Sequence, residues 1–150
     1  MSGANGRNVA VVEGSYRAVD ASDQRAGIAL DADSASLSVA RSFVASVLES
    51  WDREDPDNIV PLLTSELVSN AVRHAAGSVA LELALLNGED LRVEVQDGSP
   101  AAPVIRRPNP GGIGGHGLTI VESLARSWGV ERYQDHKVVW FEAPVSPRAR

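Results

Sequence analysis

The chain has no cysteine, a single methionine, and aromatic residues at only 5% of its 150 positions. Without cysteine, disulfides and thiolate metal sites are excluded, and a cytoplasmic location is the default expectation. No apolar run approaches the roughly 18–20 residues that span a bilayer, so no membrane helix is expected. Met1 to Asn8 carries one Arg and no apolar core, which does not fit a secretory leader. Positive charge is also scarce: 14 Lys and Arg face 20 Asp and Glu, for a net charge of −6. Sequence-independent nucleic-acid binding relies on clustered Lys and Arg to neutralise phosphates, so direct binding of that kind is not expected. What remains is 43% apolar residues in a length suited to one domain. A domain of that size buries roughly 70% of the surface its unfolded chain exposes.

The most informative stretch is Thr64-Ser-Glu-Leu-Val-Ser-Asn-Ala-Val-Arg-His74. Glu66, Asn70 and His74 recur every four residues. At about 100° per residue they share one side of a helix. Leu62, Leu63, Leu67, Val68, Ala71, Val72 and Ala75 flank them, so the polar stripe borders an apolar face. Asn is a poor residue for a helix interior, because its amide competes for backbone hydrogen bonds. A carboxylate one turn from a carboxamide can hold a divalent cation or order a water. His74, near the helix end, reads as a complement to the helix dipole.

Around this stretch the chain reads as a tail and one compact domain. Residues 1–25 are rich in Gly, Ser, Ala, Asn and Asp, with one apolar patch at Val9 to Val12, and are expected to form a flexible tail. Residues 146–150 are expected to fray. Between them, 26–145 form the domain. Ile28 to Leu30 suits a short strand. Asp33 or Ser34 can cap a helix whose stripe is Leu37, Ala40, Phe43, Val44 and Val47. Asp57 can cap the next helix, with Pro61 in its first turn and Gly77 at its stop. Val79, Leu81, Leu83 and Leu85 alternate, as do Leu91, Val93 and Val95. The Asn87-Gly88 pair between them is a strong hairpin signal. Ser99 to Gly115 holds four prolines and four glycines, the composition of a lid or a disordered loop. A third helix begins near His116, with Leu118, Val121, Leu124, Ala125 and Trp128 on its buried side and Gly129 at its end. Two strands follow, Val130 to Tyr133 and Lys137 to Glu142. The order β-α-α-β-β-loop-α-β-β predicts an α+β, two-layer sandwich: a mixed, mostly antiparallel sheet with helices on one face.

Two further features carry chemistry. Gly111-Gly-Ile-Gly-Gly-His-Gly117 directly precedes a helix. Glycine lets the backbone approach a ligand, and a helix N-terminus attracts phosphate. The run is neither a Walker A loop, since no Gly-Lys-Ser/Thr follows, nor a dinucleotide fingerprint, since no strand directly precedes it; it is a phosphate cradle or a flexible connection. Asp97, at a strand end before Gly98, either accepts a hydrogen bond from an exocyclic amine such as that of adenine or bonds its own turn.

Taken in order, these motifs resemble the GHKL ATPase superfamily. They are most similar to bacterial anti-sigma-factor serine kinases and their stand-alone histidine-kinase-like relatives. Ser65-Glu-Leu-Val-Ser-Asn-Ala-Val-Arg-His74 resembles the asparagine-bearing helix motif. Val93-Glu-Val-Gln-Asp97-Gly98 resembles the adenine-binding motif, and Gly115-His-Gly-Leu118 the second glycine motif. Ala125-Arg-Ser-Trp-Gly-Val130, Lys137-Val-Val-Trp140 and Ala40-Arg-Ser-Phe-Val44 also match small members. The resemblance covers roughly residues 26–145.

It implies ATP and Mg²⁺ as cofactors, with Asn70 coordinating Mg²⁺ and Glu66 orienting or deprotonating the attacking hydroxyl or water. It implies that Asp97 accepts from adenine N6 while Gly98 gives the ring room. Gly115 and Gly117 would cradle the phosphates, with His116 and Leu118 in the same motif, and Arg73 and His74 would border the pocket. Ser99 to Gly114 would be the lid. The fuller adenine motif carries another glycine where Ser99-Pro100 stands here. No sensor segment is present, and no His precedes His74, so a self-phosphorylating sensor kinase is not expected. The expected function is a protein serine/threonine kinase that binds a sigma factor and phosphorylates a small anti-sigma antagonist, with homodimerisation possible in such families. The alternative is an ATP-responsive binding module without kinase activity.

Overall fold

The computed structural model describes residues 8–13, 24–74, 78–98 and 117–149. Their elements run β1 (Asn8–Glu13), β2 (Gln24–Leu30), α1 (Ser36–Ser50), β3 (Arg53–Glu54), α2 (Val60–His74), β4 (Val79–Leu86), β5 (Asp90–Asp97), α3 (Gly117–Leu124), β6 (Ser127–Arg132), β7 (Lys137–Pro144) and β8 (Ser146–Pro147). Six strands form one sheet in the order β1-β6-β7-β5-β4-β2, and β3 pairs with β8 in a separate ladder. Every pairing is antiparallel. The chain is thus the α+β fold that its strand and helix order predicts.

The β4–β5 hairpin turns at Asn87 and Gly88, at φ 54° and 72°. Both central residues have positive φ, and Glu89 N–H donates to Leu86 O at 3.1 Å. That is the primed turn whose twist matches paired strands. Alternation then sends Leu81, Leu83, Leu91, Val93, Val95, Val139 and Phe141 to the helix side of the sheet. There they meet Ala40, Val44 and Val47 of α1, Leu63, Leu67, Val68 and Ala71 of α2, and Val121 of α3 in one core.

Helix starts differ in detail from expectation. Asp55, not Asp57, holds the start of α2, its Oδ2 accepting from Val60 N–H at 2.7 Å. Asn58, at φ 53°, turns the chain so that the earlier carboxylate reaches. Asp33 accepts from Ala35 N–H at 2.9 Å, while Ala35, the residue flanking α1, provides no side-chain cap.

Three larger differences concern pairing. The third helix stops at Leu124, and Trp128 and Gly129 belong to β6. Arg126 N–H donates to Glu142 O at 2.9 Å and draws the chain into the ladder with β7. The last residues are not frayed at Ser146 and Pro147, which pair with Glu54 and Arg53. Arg148 N–H then bonds Asp52 O at 3.0 Å. Within the expected tail, Asn8–Glu13 is a strand on β6, covering an edge that would otherwise expose unpaired backbone groups. The stop expected at Gly77 lies outside the described residues.

Candidate functional site

The polar stripe sits on α2, the helix that packs against β4, β5 and β7. Asn70 is only 4% exposed, and its Nδ2 makes no hydrogen bond. One turn earlier, Glu66 is half-buried, and Arg73 is exposed beyond them. The side chain of His74 lies outside the described residues. Leaving a buried amide unsatisfied costs about 1–3 kcal/mol, so a ligand or water at Asn70 has a physical rationale. Thr64, fully buried on the same helix, also has an unbonded hydroxyl. Beside Glu66, Ser65 Oγ accepts from Arg41 Nη1 at 3.1 Å, tying α1 to α2.

Asp97 ends β5 on the helix side of the sheet. Its cross-strand neighbour is Lys137, the first residue of β7. Lys137 Nζ lies 3.5 Å from Asp97 Oδ2, with side chains 0% and 1% exposed. Gly98, next along, is exposed. Because α2 packs on β5, Asn70 and Asp97 belong to the two layers that face each other. Gly117 opens α3 and Leu118 follows it, and α3 packs against α2. Gly115, His116 and the expected lid, 99–114, lie outside the described residues.

A cleft of about 350 Å³ opens where β5 ends, lined by Ser78, Ala80, Gln96, Asp97, Gly98, Asp135 and His136. Ala80 and Gln96 are register partners on the face away from the helices. The cleft therefore shares Asp97 and Gly98 with the α2 side but opens mainly on the other side of the sheet from Asn70. At its rim His136 Nδ1 stands 2.7 Å from Asp135 Oδ1. The hydrogen bond with His136 is the main reason the Asp135 carboxyl is held below its usual value of 3.8. Tyr133 stacks on His136 with ring centroids 4.2 Å apart.

Among the described residues, no group of three or more His, Asp or Glu side chains is placed to hold a metal ion unaided. A metal here would need oxygens from its ligand as well as from Asn70. Lys137 is a buried neighbour of Asp97 to which the motifs assign no role. Its signal is its place on the core-facing register of β7, ahead of Val139, Phe141 and Ala143. A lysine on that register, with no solvent around it, needs a reason.

The model of one protein family, described as histidine kinase-like ATPase domain, matches residues 30–142. No curated protein matches the chain. Among solved structures, the crystal structure of the RsbU and RsbW domains of Rv1364c from Mycobacterium tuberculosis is similar, at 19% identity and a TM-score of 0.62. The match covers 83% of this chain and 34% of that one, so the chain spans about a third of that protein's length. At this identity the likeness is one of fold.

Proposed function

The chain belongs to the histidine kinase-like ATPase domain family, and on that premise we propose that it is an ATP-binding regulatory protein acting as an anti-sigma-factor serine/threonine kinase. The observation that carries the reading is Asn70, a buried carboxamide with an unbonded amide nitrogen one turn from Glu66. The residues fit the ligand set. The Asn70 oxygen is a hard donor suited to Mg²⁺, and its NH₂ group can meet a phosphate oxygen or a water. Bound there, Mg²⁺ would neutralise charge on the phosphates. Asp97 provides a buried acceptor for the adenine amine, and Gly98 leaves room beside it. Gly115 and Gly117 would offer backbone N–H groups to the phosphates at the start of α3, with His116 and Leu118 beside them. Arg73 and His74 would border the pocket.

Glu66 takes the catalytic role. Its half-exposure suits a carboxylate that must come within hydrogen-bond reach of an incoming hydroxyl. The substrate would be a serine on a small anti-sigma antagonist, and the sigma factor a second protein partner released by exchange. A cytoplasmic location accompanies this reading, and homodimerisation is compatible with it. No helix among the described residues is long and apolar enough to cross a membrane.

The test is incubation with Mg-ATP and candidate antagonists, followed by detection of phosphoserine. Transfer to one antagonist supports the kinase. ATP binding without transfer to any partner contradicts it and favours an ATP-responsive binding module.

A further inference from the structure

We propose that Lys137 is a base-reading residue: its ammonium donates to ring nitrogen N1 of a bound adenine while Asp97 accepts from the N6 amine. The inference rests on the ATP-binding reading above and deepens it.

Lys137 is fully buried, and its Nζ makes no hydrogen bond. An ammonium carries three donors, and burying them without acceptors is costly. The Asp97 carboxylate at 3.5 Å offers charge compensation. That separation is beyond the 2.7–2.9 Å typical of a charge-assisted N–H···O bond. A buried pair of this kind gains little for the fold over an apolar pair of similar volume, because desolvation offsets the attraction. Two apolar residues would serve at this register, as Val95 and Val139 do one step further into the sheet. The pair therefore has a reason other than folding.

Its geometry suggests that reason. Asp97 and Lys137 are direct neighbours across β5 and β7, on the face toward α2. Together they present one acceptor beside one donor. The Watson–Crick edge of adenine presents the reverse order, the N6 amine as donor beside N1 as acceptor. A 6-oxo purine carries an acceptor and then a donor along the same edge, so both contacts would clash in polarity. A site that commits two buried polar groups in this way rejects a ligand that leaves either unpaired.

The experiment is calorimetry on the full chain with ATP and with 1-deaza-ATP, which keeps the N6 amine but replaces N1 by C–H. Wild type is expected to bind 1-deaza-ATP more weakly by on the order of ten-fold, the loss of one charged hydrogen bond. Lys137→Met should bind ATP about as weakly as wild type binds the analogue, and should no longer distinguish the two nucleotides. Lys137→Arg, which keeps a donor, should retain part of the preference. Equal binding of the two nucleotides by wild type, or a preference that survives in Lys137→Met, overturns the inference. If Lys137→Met does not fold, the wild-type and Lys137→Arg comparisons decide alone. The two levels separate cleanly. Wild type that binds no ATP overturns the ATP-binding reading and this inference with it. Binding that depends on Asp97 but ignores N1 overturns only the role of Lys137 and leaves it a counter-ion.

Discussion

Trp140 lies against the backbone of Gly129, its cross-strand partner in the β6–β7 pair. A Cβ added at Gly129 would stand 2.7 Å from Trp140 Cζ2, closer than side chains pack. The indole is rigid and fully buried, so one strand must shift to admit a methyl group. Gly129→Ala should destabilise the protein by about 1–3 kcal/mol. Urea denaturation measures it, and an unchanged midpoint would show that the indole has room to move.

The same sheet face holds Arg92. Its guanidinium carbon is 4.1 Å from the centre of the Trp140 ring. Its Nε and Nη1 reach Glu94 at 2.7 Å and Glu142 at 3.1 Å, with Glu131 at 4.0 Å. Arg92→Met removes a buried cation from among carboxylates and should cost about 3–5 kcal/mol. Arg92→Lys should recover only part, because an ammonium cannot bond two carboxylates and stack on the ring at once. A loss below about 1 kcal/mol for Arg92→Met, again by urea denaturation, would show that the cluster adds little to stability.

Much of this fold is legible along the chain, and the parts that are not share a cause. The α2 stripe, the faces of α1 and α2, and the Asn87-Gly88 hairpin are local patterns, set within one or two turns or across one turn of strand. Trp128 shows where local pattern misleads. The spacing Val121, Leu124, Ala125, Trp128 continues a helical stripe, yet Leu124 is 44% exposed and Trp128 is buried in a strand. Pairing with β7 outweighs the helical period there. Lys137 opposite Asp97, and Arg53 opposite Pro147, are contacts between distant segments, which no local period encodes. Of the site, Asn70 and Asp97 can be picked out by motif, whereas their burial and the Lys137 partner emerge only from register.

Asp55 gives a pH-dependent signature. Burial raises its carboxyl above the usual 3.8, Asp57 adds to the effect, and the hydrogen bond from Val60 N–H opposes it. A folded value above the unfolded one means that the folded chain holds the proton longer. Stability from this group is therefore full below the unfolded value and is lost as pH rises through the raised value. Asp55→Asn keeps a capping oxygen and removes the titration. The variant should gain on wild type as pH rises above the usual carboxyl value of 3.8 and through the raised one. Denaturation midpoints across that range test it, and a pH-independent difference would contradict it.

Glu66→Gln separates binding from chemistry. The substitution keeps size and polarity but removes the base, so phosphate transfer to an antagonist should fall by roughly 10²–10⁴-fold. ATP affinity should stay within a few-fold of wild type. Transfer rates and calorimetry on the same preparation check both. Equal transfer by the variant would remove Glu66 from the catalytic role.

If the buried Asn70 carboxamide belongs to a Mg-ATP site, calorimetry of ATP binding with Mg²⁺ and with EDTA will show it. Wild type should bind ATP more tightly with Mg²⁺, and Asn70→Ala should lose that Mg²⁺-dependent gain while its fold is kept. A wild-type protein that binds no ATP, or an Asn70→Ala variant with the full Mg²⁺ gain, would exclude Asn70 from a Mg-ATP site.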